Sequence, residues 1–177
     1  GRRSVRKLLS YDDKILVVDA ARETLVDSIE VGPQPSSLVL DRFGKLWTVT
    51  DGRTAGIPAA LYRIDAATRR VEQTYTFAAG DHPSSVTLNG TRDTLYFINR
   101  DVWRMRVDAE ELPVTPFLPY TQTTYYEVAV DPLTSEVYVA DAIDYVQHGV
   151  VYRFTARGAA VDTIRVGITP GSFCFKP

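Results

Sequence analysis

The chain has 177 residues, 45% apolar and 24% charged, which suits one domain with a real core and excludes a disordered chain. The formal net charge is −2, and the basic residues are scattered apart from Arg2, Arg3, Arg6 and Lys7, which argues against nucleic acid as the main partner. No apolar run approaches the ~20 residues that span a bilayer, and the single cysteine, Cys174, excludes an internal disulfide and a multi-cysteine metal site.

From the N-terminus, residues 4–9, 14–19 and 25–31 read as three strands, the second, third and fourth (B, C and D) of a four-stranded unit without its first. Residues 36–40 then open a whole unit as strand A, and Asp41-Arg42-Phe43-Gly44 supplies the polar turn into strand B at 46–49. A loop leads to strand C, Leu61-Tyr62-Arg63-Ile64, and strand D follows at 71–77. The next unit repeats the order: A at 84–88 behind Pro83, the turn Asn89-Gly90-Thr91-Arg92, B at 95–98, C as Val102-Trp103-Arg104-Met105, and D near 114–118. The third has A at 126–130, the turn Asp131-Pro132-Leu133-Thr134, B at 137–140, C as Val151-Tyr152-Arg153-Phe154, and D at 161–166. A last A-like stretch, 172–176, follows Pro170, and Cys174 within it reads as a small buried thiol.

The aliphatic–aromatic–arginine–apolar motif thus begins at residues 61, 102 and 151. A period of about 40–45 residues predicts four-stranded propeller blades. The B strands are apolar on both faces, as in Leu95-Tyr96-Phe97-Ile98, and sheets stacked blade on blade bury both. The expected fold is all-β: a β-propeller of about four blade equivalents of four antiparallel strands, B-C-D, three full blades and a final A strand. Residues 1–177 read as a single propeller domain, a fragment or half of a larger ring. A β-sandwich is the runner-up, but it does not demand the repeat. The stretch 172–176 is expected to pair with a strand from residues 4–19, with a second copy in a homodimer, or with missing blades.

Residues 14–41 (a strand ending in Asp19, the turn Ala21-Arg22-Glu23-Thr24, then Ser28-Ile29-Glu30-Val31-Gly32 and Pro35-Ser36-Ser37) resemble the YVTN-type repeat of surface-layer and YncE-like β-propellers. The cadence returns at 61–88. The ending Val166-Gly167-Ile168-Thr169-Pro170-Gly171-Ser172-Phe173-Cys174-Phe175 is similar to the C-terminal end of extracytoplasmic surface members from gut-type anaerobic bacteria. The resemblance implies a ring of about seven blades, of which this chain is a C-terminal half, on the cell surface or in the periplasm, with no assigned reaction. Arg2-Arg3-Ser4-Val5-Arg6 departs from the family's apolar B strand.

Antiparallel blades put the A–B and C–D turns on one rim and the B–C and D–A loops on the other. The second rim carries the long, irregular segments, where function tends to sit on a rigid scaffold. Its candidate ligand-binding residues are Tyr120, Tyr125, Tyr126, Glu127, Asp141, Asp144, Tyr145 and His148, with Asp81 and His82. The tyrosines suit a protein, peptide or glycan ligand, or else inter-blade packing. Asp141, Asp144 and His148 carry metal-ligand atoms, but their spacing matches no established site and loop aspartates commonly cap turns. Asp81-His82 is either a general acid–base pair or a turn before Pro83. Arg63, Arg104 and Arg153 recur at one strand position, which points to stacking on aromatics or pairing with strand carboxylates. Asn89-Gly90-Thr91 is expected to be a hairpin turn in which Asn-Gly accepts positive φ, although it also matches a glycosylation acceptor.

Two function classes follow. The first is a non-catalytic binding or scaffold module outside the cytoplasm, with no cofactor and no metal. The second is an enzyme, a lyase or hydrolase with carboxylates, histidine and an optional metal at the channel mouth. The residues 120–127 and 141–149 are expected to be neighbours.

Overall fold

The computed structural model describes residues 3–7, 13–121 and 124–176, with residues 3–7 as backbone only. The end of the first expected strand, at Leu9, lies outside them, as do Gln122 and Thr123. The architecture is all-β, with four antiparallel sheets of three or four strands, as in part of a β-propeller. The chain divides into two compact units, Gly1–Pro83 and Ser84–Pro177.

In the first unit, β1 (Arg3–Lys7), β2 (Lys14–Asp19) and β3 (Thr24–Glu30) form one sheet. The strands β4 (Pro35–Leu40), β5 (Lys45–Thr50), β6 (Ala60–Asp65) and β7 (Arg70–Thr76) form the other. Chain order is spatial order in both sheets, each strand pairing antiparallel with the next in sequence. Ile15, Val17 and Ile29 of one sheet pack on Leu46 and Ile64 of the other, flanked by Val31, Leu38 and Tyr62. The central strand β5 is buried from Leu46 to Thr50, as its two apolar faces require.

The second unit contains β8 (Ser84–Leu88), β9 (Thr94–Asn99) and β10 (Asp101–Arg106), then β11 (Tyr125–Val130), β12 (Val137–Asp141), β13 (Val150–Phe154) and β14 (Ala160–Arg165). Tyr96, Ile98, Val102 and Leu118 pack on Val128, Val130, Val137 and Val139.

Short polar side chains set the turns. Asp41 accepts hydrogen bonds from the amides of Phe43 (2.8 Å) and Lys45 (2.9 Å), and its second oxygen accepts the indole N–H of buried Trp47 (2.8 Å). Asp131 does the same for Leu133 and Thr134, and Asn89 for Asp93 and Thr94. At Asp41 and Asp131 these are Asx turns, where a side-chain oxygen imitates a backbone acceptor; Asn89 instead reaches four and five residues on, to the far side of its turn. The left-handed residue of the Asn89 turn is Arg92 (φ 54°), not Asn89 or Gly90. Gly90 is required for a different reason: a Cβ there would meet the carbonyl oxygen of Pro132 at 1.8 Å. Two neighbouring turns therefore touch backbone to backbone.

Three expectations are corrected. Among the described residues the stretch expected as strand D at 114–118 makes a single bridge, Val102 to Leu118. Pro113 and Pro116 lack the amide a ladder needs, and the sheet β8–β10 keeps three strands. Ser172–Lys176 forms no strand among the described residues. Instead Phe173 and Phe175, two residues apart, lay their rings on Tyr138 (centroids 6.2 and 5.3 Å). With those two facing Tyr138, Cys174 turns outward and is exposed rather than buried.

The repeated arginines are structural, each with its own partner. Arg153 grips Glu136 with two N–H donors (3.0 and 2.9 Å), and Arg63 lies 3.7 Å from Glu72. Arg104 stacks over Phe117 (4.5 Å) and donates to the carbonyl of Ala156 (3.0 Å).

Candidate functional site

The fourth sheet, β11–β14, carries three loops on the rim where strand B meets C and strand D meets A. Asp141 closes β12 and is 2% exposed. One of its oxygens accepts the amides of Thr124 (3.0 Å) and Ile143 (2.8 Å); the other accepts the hydroxyl of Tyr152 (3.2 Å). Thr124 returns its hydroxyl to the carbonyl of Ile143 (2.8 Å) and its carbonyl to the amide of Ala142 (3.1 Å). The segments 124–127 and 141–149 are therefore neighbours, laced together around one buried carboxylate. A third loop joins them: the amide of Gly149 donates to Gly167, and that of Val166 donates back to Gly149. The ring nitrogen Nδ1 of His148 also binds the carbonyl of Val166 (2.9 Å). A Cβ on Gly149 would strike Pro170 (2.7 Å), so this crossing needs glycine.

On this scaffold Tyr126 (39% exposed) and Tyr145 (53% exposed) meet edge to face, centroids 5.8 Å apart. Ile143, Val146 and Ile168 add exposed aliphatic surface. Ile143 (φ 55°) and Tyr145 (φ 64°) both sit in the left-handed region. A branched residue such as isoleucine is a true outlier there, and each such residue costs about 1–2 kcal/mol. Asp144 supplies the local order: one oxygen accepts the amides of Val146 and Gln147 (both 2.9 Å), the other the Gln147 side-chain amide (3.0 Å). Those backbone donors hold its carboxyl below the usual carboxylate range.

The remaining candidates lie elsewhere. Tyr120 is exposed; its amide donates to Asp101 (2.7 Å) and its ring lies under the Arg100 guanidinium (4.5 Å). Tyr125 turns away from Tyr126 and packs edge to face on Tyr152 (6.5 Å). Glu127 is half-buried at a β-bulge and accepts a hydrogen bond from the Ser85 hydroxyl. Burial pushes its carboxyl up, and the Ser85 hydroxyl opposes the shift. In the first unit, Asp81 accepts the amide of Ala78 (3.1 Å), which is a turn. His82 binds the carbonyl of Asp51 through Nδ1 (2.7 Å), so Asp81 and His82 work separately.

Among the described residues no three His, Cys, Asp or Glu side chains converge as metal ligands. The oxygens of Asp141 and Asp144 are committed to their own loops. In both histidines a carbonyl accepts from Nδ1–H, so in the neutral ring the lone pair lies on Nε2.

Ser85 was not a candidate by sequence. It is left-handed (φ 52°), as is its repeat equivalent Ser37 (φ 55°), and both lie at bulges of their A strands. Its hydroxyl also accepts the amide of Val128 (3.0 Å). The available signal was the Ser-Ser pair after Pro35 and Pro83, whose third-blade counterpart carries Glu127 in place of the second serine.

A family profile described as "Domain of unknown function (DUF5074)" matches residues 7–173. No curated protein matches. Among solved structures the chain is similar to a quinonprotein alcohol dehydrogenase-like protein from Bacteroides thetaiotaomicron (TM-score 0.71, 15% identity, 93% of this chain and 44% of that one). It is similar also to hydrazine synthase of Kuenenia stuttgartiensis (TM-score 0.68, 13% identity, 88% and 44%) and to the Dos1 propeller (TM-score 0.63, 12% identity, 85% and 38%). At such identities the likeness is one of fold alone. The chain spans less than half the length of these structures.

Proposed function

The chain belongs to the family described as a domain of unknown function (DUF5074), and from that premise we propose that it is a non-catalytic binding module. On this reading it recognises a protein, peptide or glycan through the B–C and D–A loops of its fourth sheet. The observation that carries the reading is the left-handed pair Ile143 and Tyr145, kept exposed on a loop that Asp141 and Asp144 brace with their carboxylates. Backbone strain of this kind persists where the surroundings over-determine it, and it concentrates at ligand clamps. Exposed tyrosines flanked by aliphatic groups are the composition of binding hot spots.

The finer assignment is to the YVTN-repeat, YncE-like group of extracytoplasmic propellers, at the cell surface or in the periplasm. It is supported by the repeats at 14–41 and 61–88, and further blades then complete the ring. Fractionation of cells carrying a tagged full-length protein checks the location.

The test of the binding reading uses the immobilised chain, a panel of oligosaccharides and a peptide-display library. Tyr145→Ala and Tyr126→Ala should abolish retention of whichever probe binds, with the melting temperature nearly unchanged. A probe that binds both variants as well as wild type overturns the assignment.

The second reading, a lyase or hydrolase, is favoured by one feature: both rim histidines have Nδ1 committed and the Nε2 lone pair available, the state a general base needs. Substrate turnover lost in His148→Gln or His82→Gln would select it over the first.

A further inference from the structure

In the first unit, Tyr62 of β6 is covered by a strand D. Ile29 and Val31, in and just after β3, pack over the same cluster, and the Tyr62 hydroxyl meets the backbone of Gly32. Its repeat equivalent in the second unit is Tyr152 of β13. There the covering sheet has no strand D, only the bridge at Leu118 followed by Pro119. The missing strand leaves a cleft of about 280 Å³, with Leu118 and Pro119 on one side and Tyr125, Tyr152 and Phe154 on the other.

The wall is built of rings set at angles. Tyr125 and Tyr152 meet edge to face (6.5 Å, 80°), and Tyr152 and Phe154 are tilted (6.5 Å, 48°). Tyr152 is tethered through its hydroxyl to buried Asp141, so its ring is held in place without a ligand. Gly158 completes the lining, and a Cβ there would press on Phe117 (3.3 Å) and Leu118 (3.6 Å). Among the described residues no charged side chain lines the cleft, and the lining includes the hydroxyl-bearing residues Thr121 and Tyr125.

We propose that this cleft is a binding site for a small, uncharged, planar aromatic molecule of one ring or two fused rings. A closed apolar cavity of about 150 Å³ takes up benzene, and sites for drug-sized ligands begin near 300 Å³. The volume here falls between the two. Rings at fixed angles offer an entering ring both edge and face contacts, which an aliphatic ligand of equal volume cannot use. The hydroxyl-bearing residues of the lining suit a single N–H or O–H on the ligand, and a lining without charge disfavours carboxylates and amines. The site is separate from the rim patch: Tyr125 turns to Tyr152, and Tyr126 to Tyr145.

The test is a titration of the intact chain with indole, read by calorimetry and by saturation transfer to the indole protons. Saturable binding at one site is expected, at least about tenfold tighter than for cyclohexanol. Thr121→Trp, at an exposed position, fills the cleft with a tethered ring without cutting into the core. It should weaken indole at least about tenfold, while Tyr145→Ala leaves indole binding unchanged. Absence of saturable binding up to the solubility of indole overturns the proposal, as does equal affinity for cyclohexanol or undiminished binding by Thr121→Trp. Loss of binding in Tyr145→Ala would instead place the ligand at the rim.

Discussion

Glu127 shows how one residue departs from its repeat. It stands where Ser37 and Ser85 stand in the preceding blades, and it puts a carboxyl into a half-buried place. Its pKa is raised in the folded chain, chiefly by desolvation, with the Ser85 hydrogen bond partly compensating. The protonated form is thus favoured by folding. Its contribution is complete below the ordinary carboxylate value and is lost as pH rises through the raised one. Urea unfolding across pH should show stability falling over that window, and Glu127→Gln should flatten it and stabilise the chain above it. An unchanged profile refutes the assignment. Gly90 makes a second case. The 1.8 Å contact with Pro132 leaves no room for a methyl group, so Gly90→Ala must displace a neighbouring turn. A loss of about 2 kcal/mol in urea unfolding is expected, far above the effect of alanine at Gly167, where φ is not positive and a Cβ meets nothing within 4 Å. Neither constraint could be read from the chain: Asn-Gly suggested a φ requirement that in fact falls on Arg92.

At the scale of the element, the three four-residue motifs are alike in sequence and unlike in edge. Arg63 of β6 pairs across to Gln73, and Arg153 of β13 to Asp162. Val102 of β10 directs its amide and carbonyl outward to Leu118, and by strand alternation Arg104 points the same way with no strand D opposite. Hydrogen exchange should find the Arg104 amide less protected than those of Arg63 and Arg153, because edge amides open without breaking a ladder. Equal protection would show that 107–117 covers this edge in solution. The exposed arginines at 104 and 106 serve the usual purpose of charge on an open edge, which is to discourage pairing with other chains. Prolines 113, 116 and 119 were visible in the sequence, and their lack of donors was grounds to doubt a strand at 114–118.

For the whole molecule, each of the two units carries its own buried cluster, built between a pair of sheets. The stretch 172–176 does not extend this pattern by laddering. It covers Tyr138 with two phenylalanines. The double variant Phe173→Ser, Phe175→Ser should uncover that ring and promote self-association, seen as a sedimentation coefficient that rises with concentration. Apolar faces left in water tend to find each other. A concentration-independent coefficient would mean that the Tyr138 face tolerates solvent.

What the amino-acid sequence determined by itself is the repeating hairpin order. Strand and turn are written in near neighbours: alternation sets the faces, and an Asp or Asn after strand A sets the turn with its own side chain. For that reason β2 and β8 fall where the pattern put them, at Lys14–Asp19 and Ser84–Leu88. That Thr124 meets the loop after Asp141 was also legible, since antiparallel order alone sorts loops to rims. The tertiary structure decided what each side chain is committed to. Asp141 became a buried knot, Tyr125 a cleft wall, and Tyr126 and Tyr145 a surface pair, because hydrogen bonds and packing between residues far apart in the chain consume some groups and leave others. It also decided that one blade would lack its fourth strand, since a ladder needs donors on both edges and prolines remove them from one.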